Sequence, residues 1–133
     1  MRVTASAVSL NVDDVVASAS FVKRHFGFTE DMSADGFVSL SRKDVGFQLI
    51  YLRKGLATLK PESLKHQRAE GVLVVLVVDD VDAEYRRLQT EGVAVLTPIE
   101  TESWGERYFQ VADGNGVIIQ LVQWVQAPPG AGA

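Results

Sequence analysis

Cysteine is missing from all 133 residues, which excludes disulfides and thiolate-bound metals. Imidazole is scarce, supplied only by His25 and His66. His25 falls on a helix beside its apolar stripe and reads as a partly exposed surface residue. His66 falls in a connecting segment, where solvent exposure is a simpler reading than metal ligation. No Ser-His-Asp or Cys-His motif is present, and no glycine-rich turn leads from a strand into a helix to cradle phosphate. A basic surplus is also lacking: the net charge is -4 and the pI is near 5.1, unlike the basic patches of nucleic-acid-binding proteins. Lys54, Lys60, Lys65 and Arg68 thicken one segment, but Glu62 and Glu70 dilute it. No apolar stretch is long enough to cross a bilayer, and no charged leader precedes an apolar run. The expected compartment is therefore the cytoplasm, with neither nucleic acid nor membrane as a partner.

What the chain does have is a hydrophobic share of 47% with charges of both signs, enough for one real core at this length. The most informative stretch runs from Trp104 to Trp124. It reads as a hairpin: Tyr108 to Val111 going out, Asp113, Gly114, Asn115 and Gly116 in the turn, and Val117 to Gln123 returning. The returning strand is apolar on both faces except for Gln120, so it suits the wall of a binding cavity.

Earlier, Val3 to Val12 alternates apolar Val8, Leu10 and Val12 with Ala7, Ser9 and Asn11, the pattern of a half-buried strand. Asp13 and Asp14 stand where a helix cap belongs, ahead of Val15, Ala19, Val22 and Phe26 at helical spacing. Gly27 suits the left-handed closing position. Strands are predicted at Phe37 to Ser41 and Val45 to Tyr51. The pattern then recurs: a strand at Val72 to Val78, caps at Asp79 and Asp80, a helical stripe of Val81, Tyr85 and Leu88, closure at Gly92, a strand at Val93 to Thr97, and the hairpin. Capping accounts for both paired acids, and no catalytic constellation is left. Two βαβββ modules, 1-52 and 72-126, joined by a connector at 53-71, form one expected α+β domain over 1-126; residues 127-133 have no periodicity and read as a disordered tail.

The repeated Val-Asp-Asp-Val signature at Val12 to Val15 and Val78 to Val81, together with Trp104, Gly105, Arg107, Phe109 and the turn Asp113 to Gly116, resembles the vicinal oxygen chelate superfamily of glyoxalases, bleomycin-resistance proteins and dioxygenases. The resemblance implies helices outside and sheets lining a concave cleft, and a homodimer whose clefts are shared between chains. In the family's enzymes, side chains from the first and last strand of each module hold a divalent metal. Carried over, those positions fall on Ala7, Gln48, Leu73 and Gln120. Two have no donor and two are neutral amides, so no metal and no other cofactor are expected.

Gln48 and Gln120 read either as core amides satisfied by backbone or water, or as cavity-lining groups. Their matched positions in the two modules, each among apolar neighbours, favour the second. By alternation the cleft faces are Ser9, Asn11, Phe37, Ser39, Gln48, Ile50, Val75, Tyr108, Gln110, Ile118, Gln120 and Val122, with Trp104 at the mouth as a stacking group or, alternatively, a plain core aromatic. Such a lining suits an uncharged aromatic natural product better than a cation, which would want more acid. The expected function is antibiotic self-resistance by sequestration, resembling the metal-free drug-binding branch. The alternatives are a metal-dependent glyoxalase or dioxygenase, a metal-independent enzyme, or a ligand sensor.

Overall fold

The computed structural model describes residues 1–125; the expected tail at 127-133 lies outside them. The chain forms two compact units, Met1–Gly71 and the part from Val72 onward. The first contains β1 (Ala7–Val12), α1 (Val15–Phe26), β2 (Thr29–Ala34), β3 (Phe37–Ser41), β4 (Gln48–Arg53) and a short α2 (Glu62–Lys65). The second contains β5 (Leu73–Val77), α3 (Val81–Thr90), β6 (Val95–Thr101), β7 (Glu106–Ala112) and β8 (Ile118–Trp124). Each holds a four-stranded sheet, in the orders β1-β4-β3-β2 and β5-β8-β7-β6. Both units are thus βαβββ modules in an α+β fold, and in each the first strand runs parallel to the last.

Helices α1 and α3 start where the acid pairs predict. The Asp14 carboxylate accepts from the Ala17 amide at 3.1 Å and that of Asp80 from the Ala83 amide at 3.0 Å, satisfying donors with no partner inside the helix. The preceding acid has a different use in the first module: Asp13 pairs with Arg68 at 3.0 Å. Gly27 ends α1 at φ 68°, a left-handed conformation that costs glycine little. On its inner face α1 buries Ser18, Ala19, Val22 and Phe26, and the helix-facing residues of its sheet, Leu10, Val12, Val38, Leu40, Leu49 and Tyr51, are buried as well. The second core repeats this with Val74, Val81, Leu88, Phe109, Val111, Ile119 and Leu121. Tyr85 of α3 meets Phe109 edge-on at 4.9 Å. Across the same layer Arg107 grips Asp82 with two hydrogen bonds of 3.0 and 2.7 Å, not the nearer acids in sequence.

The bounds of β5, β7 and β8 differ from the pattern reading by one or two residues, and four larger differences each have a pairing reason. β1 begins at Ala7 rather than Val3 because its partner begins at Gln48, opposite Ala7. β4 is Gln48–Arg53 rather than Val45 to Tyr51; the Val45 amide instead closes a turn onto Arg42. β2 was not located by pattern because all six of its residues are exposed, and only pairing with β3 defines it. β6 extends to Thr101 with its register broken between Thr97 and Glu100, where Pro98 has no amide hydrogen to pair.

The connector belongs to the first unit. The Asn11 amide nitrogen donates to the carbonyls of Leu64 and Gln67 at 3.1 and 3.0 Å, and the Asn11 carbonyl accepts from the Ala69 amide at 2.8 Å.

In the second unit the hairpin turn is organised by Asp113, 7% exposed. Its Oδ1 accepts from the amides of Asn115 and Val117 at 2.9 and 3.0 Å. Asp113→Ala leaves both donors short of a partner and is expected to destabilise by about 1–3 kcal/mol, with Asp113→Asn losing less; urea melts of the three proteins check the ranking.

Candidate functional site

In a strand, side chains alternate between faces, so the residues that do not meet the helix share the other face, open in that neither α1 nor α3 packs on it, although Val122, Gln120, Ser39 and Asn11 on it are buried. In the first sheet the register sets Ala7 beside Gln48, Ser9 beside Ile50, and Asn11 beside Leu52. Ile50 and Leu52 continue to Ser39 and Phe37. Ser9, Asn11, Phe37, Ser39, Gln48 and Ile50 therefore lie together as the alternation predicts. Leu52, opposite Phe37, and Met32, on β2 opposite Ser39, join this face beyond the expected residues. Asn11 belongs to the face by register, yet its amide holds the connector. Its side-chain amino group is thus engaged as a clasp on the connector.

On the open face of the second sheet, one row runs Val75, Gln120, Gln110, Thr97. A second runs Val77, Val122, Tyr108, Glu100, and Ile118 sits between Leu73 and Ala112. All the expected residues of this sheet share that face. The first row is joined by hydrogen bonds: the Thr97 hydroxyl donates to Gln110 Oε1 at 2.7 Å, and Gln110 Nε2 donates to Gln120 Oε1 at 2.7 Å. Gln120 is 7% exposed. Its oxygen is satisfied by a side chain rather than by backbone.

Beside this row is acid that pattern reading did not place. The Tyr108 hydroxyl donates to Glu102 at 2.8 Å. That bond, then burial, then the charges of Glu102, Glu100 and Glu106 push the phenol up to about 12. Glu106 shares the open face through its partner Trp124. Glu106 lay just before the predicted start of its strand, and Glu100 lay beyond Pro98, so neither had an alternation signal. Trp104 sits on the β6–β7 turn and is 44% exposed. This excludes the core alternative. The neighbouring Gly105 takes φ 92° and accepts from the Val125 amide at 2.9 Å.

A cavity of about 590 Å³ does occur in the first unit, between the start of α1 and the β2–β3 hairpin. Of the expected lining residues only Phe37 borders it. Its charges are paired, Asp35 with Arg53 at 3.0 Å and Glu30 with Lys23 at 3.6 Å, so it offers little to an uncharged aromatic molecule.

The family model of the Glyoxalase/Bleomycin resistance protein/Dioxygenase superfamily matches residues 4–121. The chain belongs to this superfamily. Among solved structures it is similar to a glyoxalase/bleomycin resistance protein/dioxygenase from Nocardioides, with TM-score 0.76 and 20% identity over 100% of this chain and 91% of that one. It is also similar to lactoylglutathione lyase from Agrobacterium tumefaciens, with TM-score 0.71 and 16% identity over 92% and 94%. At such identities the likeness shows the fold alone. A 45-residue segment is 44% identical to an uncharacterised protein of Mycobacterium bovis, and this segment is 34% of the present chain and 30% of that relative.

The divalent metal of the superfamily's enzymes does not fit the residues found here. Ala7 and Leu73 have no donor atom. The register also corrects the supposed match of the two glutamines: Ala7 faces Gln48 but Leu73 faces Ile118. Gln120 faces Val75, as Ile50 faces Ser9. Gln48 is thus the counterpart of Ile118, and Gln120 of Ile50. The one atom Gln120 could offer a cation already accepts from Gln110. No group of three or more His, Asp and Glu that could hold a metal ion occurs among the described residues.

Tyr108 supplies a spectroscopic check. Its neutral form is favoured in the folded state, so its contribution to stability is complete below the ordinary tyrosine value of about 10. That contribution falls as pH rises through about 12. The difference in phenolate absorbance between wild type and Tyr108→Phe is expected to titrate near 12, and Glu102→Gln to bring it back toward 10. Trp104→Ala is expected to shift the urea midpoint little, since exposed sites are usually within about 0.5 kcal/mol.

Proposed function

We propose that the protein binds a mostly apolar aromatic natural product and confers self-resistance by sequestering it in the cytoplasm, without a metal and without making or breaking a bond. The observation that carries this reading is the open face of the second sheet. There, a row of uncharged hydrogen-bonding groups, Gln120, Gln110 and Thr97, is flanked by Val75, Ile118 and Val122, in a chain whose metal positions include Ala7 and Leu73. Such a surface orients a flat apolar ligand through a few polar contacts. Gln48, Ser9, Ser39, Ile50 and Phe37 form the corresponding surface of the first sheet. Trp104, exposed on its turn, is available for stacking.

Glu100 and Glu106 change one detail of the expected ligand. Acid is present beside Tyr108, so an aromatic body bearing a basic substituent at one end is favoured over a wholly neutral one. The exposed apolar row Leu73, Val75 and Val77, at 46, 42 and 65%, supports assembly as a homodimer, because burying such side chains is favourable by roughly 25 cal/mol per Å².

Native mass spectrometry of the protein purified from its own producer tests this reading. A dimer that holds an intact organic molecule and no metal is expected; a stoichiometric metal would return the protein to the superfamily's enzymes. With ligand in hand, Gln120→Leu is expected to weaken binding about tenfold with the fold intact, and Trp104→Ala to weaken it as well. Titration calorimetry gives both numbers, and unchanged affinity in either variant removes that residue from the site.

A further inference from the structure

The geometry points to Thr97, Gln110 and Gln120 forming a directional hydrogen-bond relay that presents the Gln120 amino group to the open face, so that the bound molecule is recognised through a hydrogen-bond acceptor, of the carbonyl type, and not through a donor. This rests on the proposed binding role of that face and deepens it. The direction follows from which atoms are engaged. The Thr97 hydroxyl donates to the Gln110 oxygen at 2.7 Å, which turns the Gln110 amino group toward β8, where it donates to the Gln120 oxygen at 2.7 Å. An amide has one oxygen and one amino group on the same planar end. Once the oxygen of Gln120 is held by Gln110, its amino group is the donor left at the end of the relay, and no hydrogen bond engages it among the described residues.

The surroundings make this polarity consequential. Gln120 is 7% exposed and lies between Val75 and Gln110 in its row, with Ile118 and Val122 two places along its own strand. A donor with so little access to solvent gains from an acceptor on the bound molecule and is costly to leave without one once a ligand has displaced the remaining water. A ligand presenting an N–H to it would leave two donors opposed. Gln110 and Thr97 are positioning residues, since they act on the ligand only through the orientation of Gln120.

Three flat tricyclic probes of similar shape separate the possibilities: 9-fluorenone, which only accepts; carbazole, whose ring nitrogen only donates; and fluorene, which does neither. Wild type is expected to bind fluorenone on the order of tenfold more tightly than carbazole, with fluorene between. Gln110→Glu, assayed near pH 8 where an ordinary carboxylate is ionised, places an acceptor beside Gln120. The Gln120 amino group turns to it and the oxygen faces the ligand. The order of fluorenone and carbazole is then expected to reverse, with fluorene unchanged. Thr97→Val, which keeps the side-chain shape, frees Gln110 to turn and is expected to shrink the ratio toward one; it serves if the glutamate variant does not fold.

A fluorenone-to-carbazole ratio that stays the same in both variants while all three probes still bind overturns the relay and leaves the binding face standing. Failure of all three probes to bind wild type up to their solubility limits overturns the binding reading of that face, and the relay proposal with it. Chemical-shift changes at the Gln120 side-chain amino group, present with fluorenone and absent with fluorene, separate recognition at this atom from a general loss of packing.

Discussion

Each unit depends on the register between its first strand and its last. These two strands run parallel, side by side, and a slip of one residue would turn every side chain of one strand to the opposite face. In the second unit the pairing of Leu76 with Leu121 keeps apolar groups toward α3, and by the same stroke places Gln120 beside Val75 on the other side. Packing and polarity of the open face are two readings of one alignment. The antiparallel partner β7 extends that alignment outward, bringing Gln110 level with Gln120 and so allowing a chain of hydrogen bonds to run from the Thr97 hydroxyl through two amides across three strands.

The open face of the second sheet is graded. From Val75 across Gln120 and Gln110 to Thr97 it passes from hydrocarbon to uncharged hydrogen-bonding groups, and one row further along it reaches Tyr108 and the carboxylates around it. Charge on this face is thus confined to the end that carries the β6–β7 turn and Trp104, while the middle of the sheet stays neutral. In a low-dielectric setting a carboxylate at the centre would demand a counter-charge, whereas amides ask only for hydrogen bonds. The superfamily's fold supports metal chemistry when its first strands supply donors. Here Ala7 and Leu73 bring no donor atom to those first strands.

Much of this was legible in the sequence because it is local. The two Asp caps, the helical stripes, the left-handed Gly27 and the Asp113 to Gly116 turn all follow from spacing and from what each residue type tolerates. Alternation also gave the correct face for Ser9, Ile50, Gln110 and Val122. What escaped is non-local. β2 has no apolar face to reveal it and exists through pairing with β3. Glu100 follows a proline-broken register, so its place beside Tyr108 is invisible to a period of two. Gln48 and Gln120 look alike in composition, yet only the Cα partners show them two residues out of step. Asn11 sits in phase with Ser9 and Ala7, and nothing nearby in sequence indicates that its amide reaches residues beyond position 60.

The Asn11 region has a bearing on solubility. Alternate carbonyls of β1 point to opposite sides: that of Val12 accepts from Lys54 as β4 ends, whereas that of Asn11 accepts from Ala69 in the connector. The connector therefore covers part of a strand edge that would otherwise be open to pairing with another chain, while the far edge of the same sheet is β2, exposed along its whole length and bearing Glu30 and Asp31. Unpaired strand edges are templates for intermolecular sheet growth. Loops usually tolerate shortening because closure entropy changes slowly with length, but this loop also works as a shield. Trimming it would show itself first as aggregation, before any large change in the unfolding equilibrium.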